Sequence, residues 1–330
     1  MKHWSSRGAM AWLLWPASLV FRCVVFLRRV LYRLRIFKSA HPGIPVIVVG
    51  NVTTGGTGKT PVVIWIAGFL RENGRMPGIV SRGYGGTLDA PREATIASKA
   101  GEVGDEPIVL ARRSGCPVWV GADRARVIEA LRAAHPDVDV LVLDDGLQHY
   151  ALRRDLEIAV VDERGAGNGW MLPAGPLREP LSRLKSVDAV VSHGARTVRG
   201  YSMVLAGDVM HRMTDANDRQ LVATLAGRRV HAVAGIGEPG RFFRHLEGFG
   251  VEVVPHPFPD HHPFTARDLA FGDGLPVLMT EKDAVKLRSA ASPDVMKNWW
   301  VLPVTAKLDP AFGEWLLGRL DGFRRRSEAA

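Results

Sequence analysis

The run Pro45-Val46-Ile47-Val48-Val49-Gly50-Asn51-Val52-Thr53-Thr54-Gly55-Gly56-Thr57-Gly58-Lys59-Thr60-Pro61 passes from an apolar stretch through a glycine-rich turn into a helix start. A strand, a glycine turn and a helix N-terminus in that order are the context a phosphate-binding loop requires. Glycines let backbone N–H groups turn onto phosphate oxygens, and the helix end adds partial positive charge. Lys59 is placed to reach the β and γ phosphates of a nucleoside triphosphate, and the Thr60 hydroxyl to ligate Mg²⁺. The nucleotide-binding residues predicted here are therefore Thr53, Thr54, Gly55, Gly56, Thr57, Gly58, Lys59 and Thr60. Pro61 is tolerated because first-turn N–H groups have no intrahelical partner. Such loops usually open with glycine where Thr53 stands. A related class of ATPase switches carries a lysine at the place of Thr54, and its absence argues against those switches.

Downstream, Val138-Asp139-Val140-Leu141-Val142-Leu143-Asp144-Asp145 reads as an apolar strand ending in two carboxylates. In phosphate-loop enzymes a strand ending in Asp lies beside the loop and holds Mg²⁺ directly or through water. Adjacent side chains leave a strand on opposite faces, so one of Asp144 and Asp145 approaches the metal directly. Further strands are predicted at Pro45–Val49, Gly78–Ser81, Glu157–Val161 and Asp188–Ser192, several of them apolar without alternation, as in parallel strands covered on both faces. The chain thus reads as α/β, a mostly parallel phosphate-loop sheet flanked by helices. Around Tyr201–Met213 it turns strand-like and polar, and a second strand–helix–strand pattern runs from Arg229–Ala234 through Arg241–Gly248 to Val251–Pro255. The expected units are an N-terminal helix (1–37), a core domain (38–205) and a smaller α/β domain (206–330) closing over the site.

With 46% hydrophobic and 23% charged residues among 330, a disordered chain is excluded. The formal charge of +9 favours anionic partners. No nucleic-acid-binding motif accompanies it. The two cysteines, Cys23 and Cys116, match no metal-ligand spacing and fit a reducing compartment. The closing basic cluster, Phe323–Arg326, reads as solvated.

The uncharged run Gly8–Phe21 contains Pro16 and is shorter than the roughly 20 residues a membrane span needs. No small-residue cleavage site follows it, and Arg22, Arg28, Arg29, Arg33 and Arg35 do, so secretion is not expected. On a helix over 19–37, Leu19, Val20, Cys23, Val24, Phe26, Leu27, Val30, Leu31, Leu34 and Phe37 share one arc of about 160°. Arg22, Arg29 and Arg33 flank the arc on one side, Arg28 and Arg35 on the other. That is the pattern of a helix lying in a membrane interface.

Two blocks, Gly50–Pro61 and Asp144-Asp145-Gly146-Leu147-Gln148-His149, resemble the signatures of the tetraacyldisaccharide 4'-kinase family. Between and after them, in the family's order, come Ser81–Gly86, Val103–Pro107, Leu172–Glu179, Phe258–His262 and Thr280–Lys286. Thr53 is itself typical of that family. The resemblance implies an ATP-dependent kinase that phosphorylates the 4'-hydroxyl of a tetraacyldisaccharide 1-phosphate, a lipid A precursor, giving the 1,4'-bisphosphate. ATP and Mg²⁺ are the implied co-substrate and metal. Its setting would be the cytoplasmic face of a Gram-negative inner membrane, with membrane lipids as partners, no nucleic acid and no obligate protein partner.

Phosphoryl transfer needs the acceptor hydroxyl held in line and relieved of its proton. Asp105, in a Gly-Asp-Glu-Pro turn from which a carboxylate can project, is the candidate base. The resemblance assigns His261 as its partner, so catalysis is expected to involve Asp105, His261 and Lys59, drawn from both domains. Arg178 and Glu179, Gln148 and His149, and Arg124 are loop candidates for the sugar head group or its 1-phosphate. Gly235-Ile236-Gly237-Glu238-Pro239-Gly240 satisfies a dinucleotide fingerprint, but no acidic residue closes the following strand. The alternative to a kinase is a membrane-associated nucleotide switch without small-molecule turnover.

Overall fold

A computed structural model describes residues 4–86, 89–194, 200–287 and 292–328, the last five in backbone only, so most of the basic cluster at Phe323–Arg326 lies outside the described side chains. After α1 (Ala9–Arg33) the chain alternates: β1 (Val46–Gly50), α2 (Lys59–Glu72), β2 (Pro77–Ser81), β3 (Arg92–Glu93), α3 (Ala100–Val103), α4 (Asp105–Ser114), β4 (Val118–Val120), α5 (Arg124–Ala134), β5 (Val140–Asp144), β6 (Leu156–Asp162), β7 (Ala189–His193) and β8 (Tyr201–Ala206). There follow β9 (Val209–Arg212), β10 (Arg219–Leu221), β11 (Arg229–Ala234), α6 (Pro239–Glu247), β12 (Glu252–Pro257), β13 (Val277–Thr280), α7 (Glu281–Leu287), β14 (Trp299–Leu302), β15 (Thr305–Leu308) and α8 (Pro310–Glu328). The architecture is mixed α/β.

The larger sheet has nine strands in the order β15-β8-β7-β6-β1-β5-β2-β4-β3, parallel from β8 to β4 with antiparallel edges. Strands β1, β2 and β5 are buried at every position. Ile47, Val49, Ile79, Val140 and Val142 pack towards α2, while Val46, Val48, Val80, Leu141 and Leu143 pack with α5. Helices on both faces explain the uninterrupted apolar runs. β1 lies between β5 and β6, so the chain winds away from it in both directions and opens a crevice at its carboxyl end.

The smaller sheet has six strands, β10-β9-β14-β13-β11-β12, with α6 on one face and α7 beside β13. The closing segment, grouped in sequence with 206–330, leaves it again. β15 pairs antiparallel with β8, and α8 lays Phe312, Leu316 and Leu320 on the core of the larger sheet. The reason is apolar demand at that edge, where Trp65, Phe69 and Tyr201 need a cover.

Helix α1 begins earlier and ends earlier than the arc over 19–37 required. It runs for 25 residues through Pro16 and stops at Arg33, with Leu34–Phe37 beyond it. By length and composition it could cross a membrane, unlike the uncharged run read alone. Its contacts run along the protein instead. Ala11 and Ser18 are buried, Ser18 Oγ donates to the Met171 carbonyl (2.8 Å), Phe21 and Val25 pack on Val52, Met171 and Leu177, and Tyr32 meets Tyr150. The opposite side leaves Leu13, Val20, Val24, Phe26 and Leu27 each more than half exposed.

Phe312 is fully buried against Trp65, Tyr201 and Trp315. Phe312→Ala is expected to cost about 3–5 kcal/mol of stability, read as a lowered urea midpoint.

Candidate active site

The phosphate loop leaves β1 at Gly50, and Gly58, at φ +86°, turns the chain into α2 so that Lys59 opens the helix. Thr53 needs no glycine-like freedom: it forms an extended bridge with Leu177, and Thr54 N–H donates to the Pro176 carbonyl (2.8 Å). Lys59 Nζ donates to Asn51 Oδ1 (3.3 Å) and lies 3.5 Å from Asp145. Gly55, Gly56, Thr57, Gly58, Lys59 and Thr60 line one wall of a cleft of about 1210 Å³ between the two sheets.

β5 lies beside β1 with Asp144 opposite Val49, so the two aspartates emerge next to the loop, as expected. Their surroundings differ sharply. Asp144 is 1% exposed and its Oδ1 has no hydrogen-bond partner. Burial, with Glu106 and Asp145 nearby, pushes its carboxyl up to about 7 despite Lys59. Asp145, in the left-handed region at φ +50°, takes Arg178 Nη1 at 2.9 and 3.0 Å on its two oxygens. Burial would raise Asp145 too, but Lys59 and Arg178 hold it below the ordinary carboxylate value.

Asp105 and His261 meet: His261 Nδ1 lies 3.0 Å from Asp105 Oδ2, although 156 residues separate them. The carboxylate does not project from a turn. Gly104, at φ +88°, feeds it into the first position of α4, where Oδ1 accepts from the Glu106 N–H (2.8 Å) and only 4% of the residue stays exposed. A Cβ on Gly104 would stand 2.6 Å from the Tyr84 carbonyl, and one on Gly86 2.2 Å from that of Glu102. The Ser81–Gly86 and Val103–Pro107 blocks are therefore packed on each other. His261, at φ +60°, covers Asp105 from the smaller sheet and faces the cleft. Burial opposes ionisation of Asp105, but the His261 hydrogen bond with Lys282 and Lys286 lowers its pKa overall. The same hydrogen bond raises His261.

The remaining candidates, Arg124, Gln148, His149, Arg178 and Glu179, all line the cleft. Burial, Arg124 and Arg154 push the His149 ring down to about 4, so it is neutral at pH 7. Arg124 is buried at the start of α5, capped by Asp123, with Nη1 on the Gly121 carbonyl (2.7 Å); burial and Arg82 lower it to about 10. Glu179 lines the cleft while bracing its wall: it is 1% exposed and accepts from the Tyr150 hydroxyl, with Arg183 at 3.3 Å. Sequence reasoning passed over Glu106, Lys282 and Lys286. Lys282 bridges Glu106 and Asp260 at 3.2 Å each, and Lys286 lies 3.4 Å from Asp105. Two lysines four apart on one helix face were the available signal. The Gly235–Gly240 turn is spent on packing: the Gly235 N–H donates to Asp283 (3.0 Å), and a Cβ on Gly237 would stand 3.3 Å from the Gly56 nitrogen.

Among the described residues no cluster of three His, Cys, Asp or Glu forms a ready cation cage. Mg²⁺ usually takes one or two protein oxygens and completes its shell with phosphates and water. The orphaned buried Asp144 oxygen beside the loop carrying Thr60 fits that ion.

A family model described as tetraacyldisaccharide-1-P 4'-kinase matches residues 10–321. The chain belongs to the tetraacyldisaccharide 4'-kinase family. It is 50% identical over 325 residues to the tetraacyldisaccharide 4'-kinase of Azoarcus sp. (strain BH72), covering 96% of this chain and 94% of that one. To the enzyme of that name from Aromatoleum aromaticum it is 51% identical over 331 residues, covering 96% of each. The crystal structure of an "apo" form of LpxK from Aquifex aeolicus in complex with ATP matches with a TM-score of 0.78 at 26% identity, covering 94% of this chain and 99% of that chain. Membership in this kinase family matches the resemblance carried by the ordered blocks.

The Asp105–His261 pair has a titration signature. Because the carboxylate raises His261, the pair's contribution to stability is present below the ordinary imidazole value of about 6.5 and is lost as pH rises through the elevated folded value. Asp105→Asn should move the His261 midpoint down, read by NMR titration of the ring protons; an unmoved midpoint would refute the pairing.

Proposed function

We propose that the chain transfers the γ-phosphate of ATP to the 4'-hydroxyl of a tetraacyldisaccharide 1-phosphate, at the cytoplasmic face of a bacterial inner membrane. Membership in the tetraacyldisaccharide 4'-kinase family supports the reaction. The observation that carries the reading is one cleft with three walls: the Lys59 loop, the His261 that covers Asp105, and Phe21, Val24, Val25 and Arg28 of α1. A phosphate donor, a proton acceptor and an apolar helix edge are what a kinase of an acylated sugar must bring together.

In this mechanism the loop N–H groups and the Lys59 ammonium hold the triphosphate and offset charge as the γ-phosphate leaves ADP. Asp144 and Thr60 are the residues that would hold Mg²⁺, which would supply positive charge against the charge developing on the phosphate. The Asp105–His261 pair takes the proton of the attacking hydroxyl, titrating as one coupled unit rather than as two independent groups. Lys282 and Lys286 keep the pair surrounded by positive charge. Gln148, neutral His149 and Arg178 stand where the sugar head group passes from the loop towards α1, with Arg124 behind them.

The exposed face of α1 supports attachment in the membrane plane. Its inner side is fastened to the protein from Ala11 to Tyr32, which leaves Leu13, Val20, Phe26 and Leu27 open to lipid on the other. Arginines at its edge favour anionic head groups, each by about 1 kcal/mol.

The deciding assay supplies radiolabelled ATP and a tetraacylated glucosamine disaccharide 1-phosphate and looks for labelled lipid. Absence of labelled product with folded protein would overturn the proposal. In the same assay Asp105→Ala should lower turnover by at least about 10²-fold while leaving ATP affinity nearly unchanged. Replacing Leu13, Val20, Phe26 and Leu27 together by Ser should release the protein from anionic vesicles in a sedimentation assay; undiminished binding would place attachment elsewhere.

A further inference from the structure

Arg164, in the turn after β6, belongs to none of the motifs read from the sequence. Its Nε donates to Asp162 Oδ2 at 2.7 Å, and its backbone N–H donates to Oδ1 of the same carboxylate at 3.2 Å. Its Nη2 donates to the Gly56 carbonyl at 2.9 Å. Asp162 is only 2% exposed, so the carboxylate is a fixed anchor although the arginine is partly in solvent.

The Gly56 contact matters because a trans peptide is planar, with its C=O and the next N–H pointing in opposite directions. Fixing the Gly56 oxygen on Arg164 turns the Thr57 N–H to the other face of the loop, the face where phosphate-binding amides converge. The preceding peptide is held from the opposite side, with Asn51 Nδ2 donating to the Gly55 carbonyl at 3.4 Å. Gly55 and Gly56 bring no side chains of their own to set these orientations, and glycine permits many. Space is also reserved for the guanidinium: a Cβ on Gly55 would stand 3.1 Å from Arg164 Nη1. The smaller sheet braces the same cluster. Arg241 of α6 reaches Asp162 at 3.2 Å and Glu163 at 3.3 Å, and Glu238 lies 3.6 Å from Arg164.

We infer that Arg164 is a positioning residue for the phosphate loop, anchored by Asp162 and clamped across the cleft by Glu238 and Arg241. It orients the loop amides before the nucleotide arrives. The inference rests on the reading that ATP binds at the Lys59 loop.

Its test measures the Kd of a non-hydrolysable ATP analogue, KM for ATP and for the lipid, and the thermal midpoint, in wild type, Arg164→Ala and Arg164→Lys. Arg164→Ala should raise the analogue Kd and the ATP KM at least about tenfold, the scale of one lost charge-assisted hydrogen bond. The lipid KM should stay put, and the thermal midpoint should fall only modestly, because Arg241 still pairs with Asp162. Arg164→Lys, which can still donate to Gly56 but lacks the fork that grips Asp162, should fall between. If Arg164→Ala does not fold, a raised ATP KM at unchanged lipid KM in Arg164→Lys carries the same conclusion. Unchanged ATP affinity in the folded variants overturns the inference, as does an equal loss for both substrates with a lowered midpoint and no recovery in lysine. A wild-type protein that fails to bind the analogue overturns the ATP reading itself.

Discussion

A lysine ammonium held mostly out of water, 12% exposed, sets the terms for everything around it. Such a charge is costly unless an anion and a dipole meet it. Asn51 supplies the dipole from the loop's own first turn, and Asp145 supplies the anion from the neighbouring strand. The parallel register of β1 and β5 is what brings the second within reach. Asp145 is committed to cations already present, whereas Asp144, one residue earlier and on the other face, is left protonatable and orphaned. The end of β5 thus carries one engaged carboxylate and, buried beside it, one without a hydrogen-bond partner on Oδ1.

Much of this was legible from residue order. The loop, the strand beside it and the paired aspartates announce themselves because each is local, and local patterns survive in sequence. The five predicted strands of the larger sheet correspond to observed ones within a residue or two at their ends. β4 escaped notice because three residues carry too little pattern to read. The spatial meeting of Asp105 with His261 is not visible in any periodicity and entered through family resemblance alone. Polar composition concealed burial: Glu179 and Arg124 read as loop residues, yet both are almost wholly buried at the cleft wall, Glu179 held by Tyr150, 29 residues away, and Arg124 by the nearby Gly121 carbonyl. Pro16 counted against a membrane span in the uncharged run Gly8–Phe21, yet it sits inside the 25-residue α1.

The wall between α1 and the phosphate loop adds an ionic network to the apolar contact of Phe21 and Val25 with Val52 and Leu177. Tyr150 lies under Arg28 and Tyr32 on one side and donates to Glu179 on the other, and Glu179 is tied through Arg183 to Glu157 at the start of β6. Gln148 joins this wall to the loop by donating to the Asn51 carbonyl at 3.0 Å. Buried networks of this kind specify geometry more than they add stability, since breaking any one partner strands a charge. Helix α1 and the glycine-rich turn after β1 are therefore tied into one network.

The return of β15 and α8 to the larger sheet has a consequence for biogenesis. A ribosome delivers the chain from its N-terminus, and domains tend to fold as they emerge. Here the edge of the first sheet, beside β8, stays uncovered until the last segment has been made. The six-stranded unit can assemble in the meantime, but Trp65, Phe69 and Tyr201 await a cover synthesised roughly a hundred residues after Tyr201. A nascent chain halted before Pro310 would leave that aromatic edge open to water.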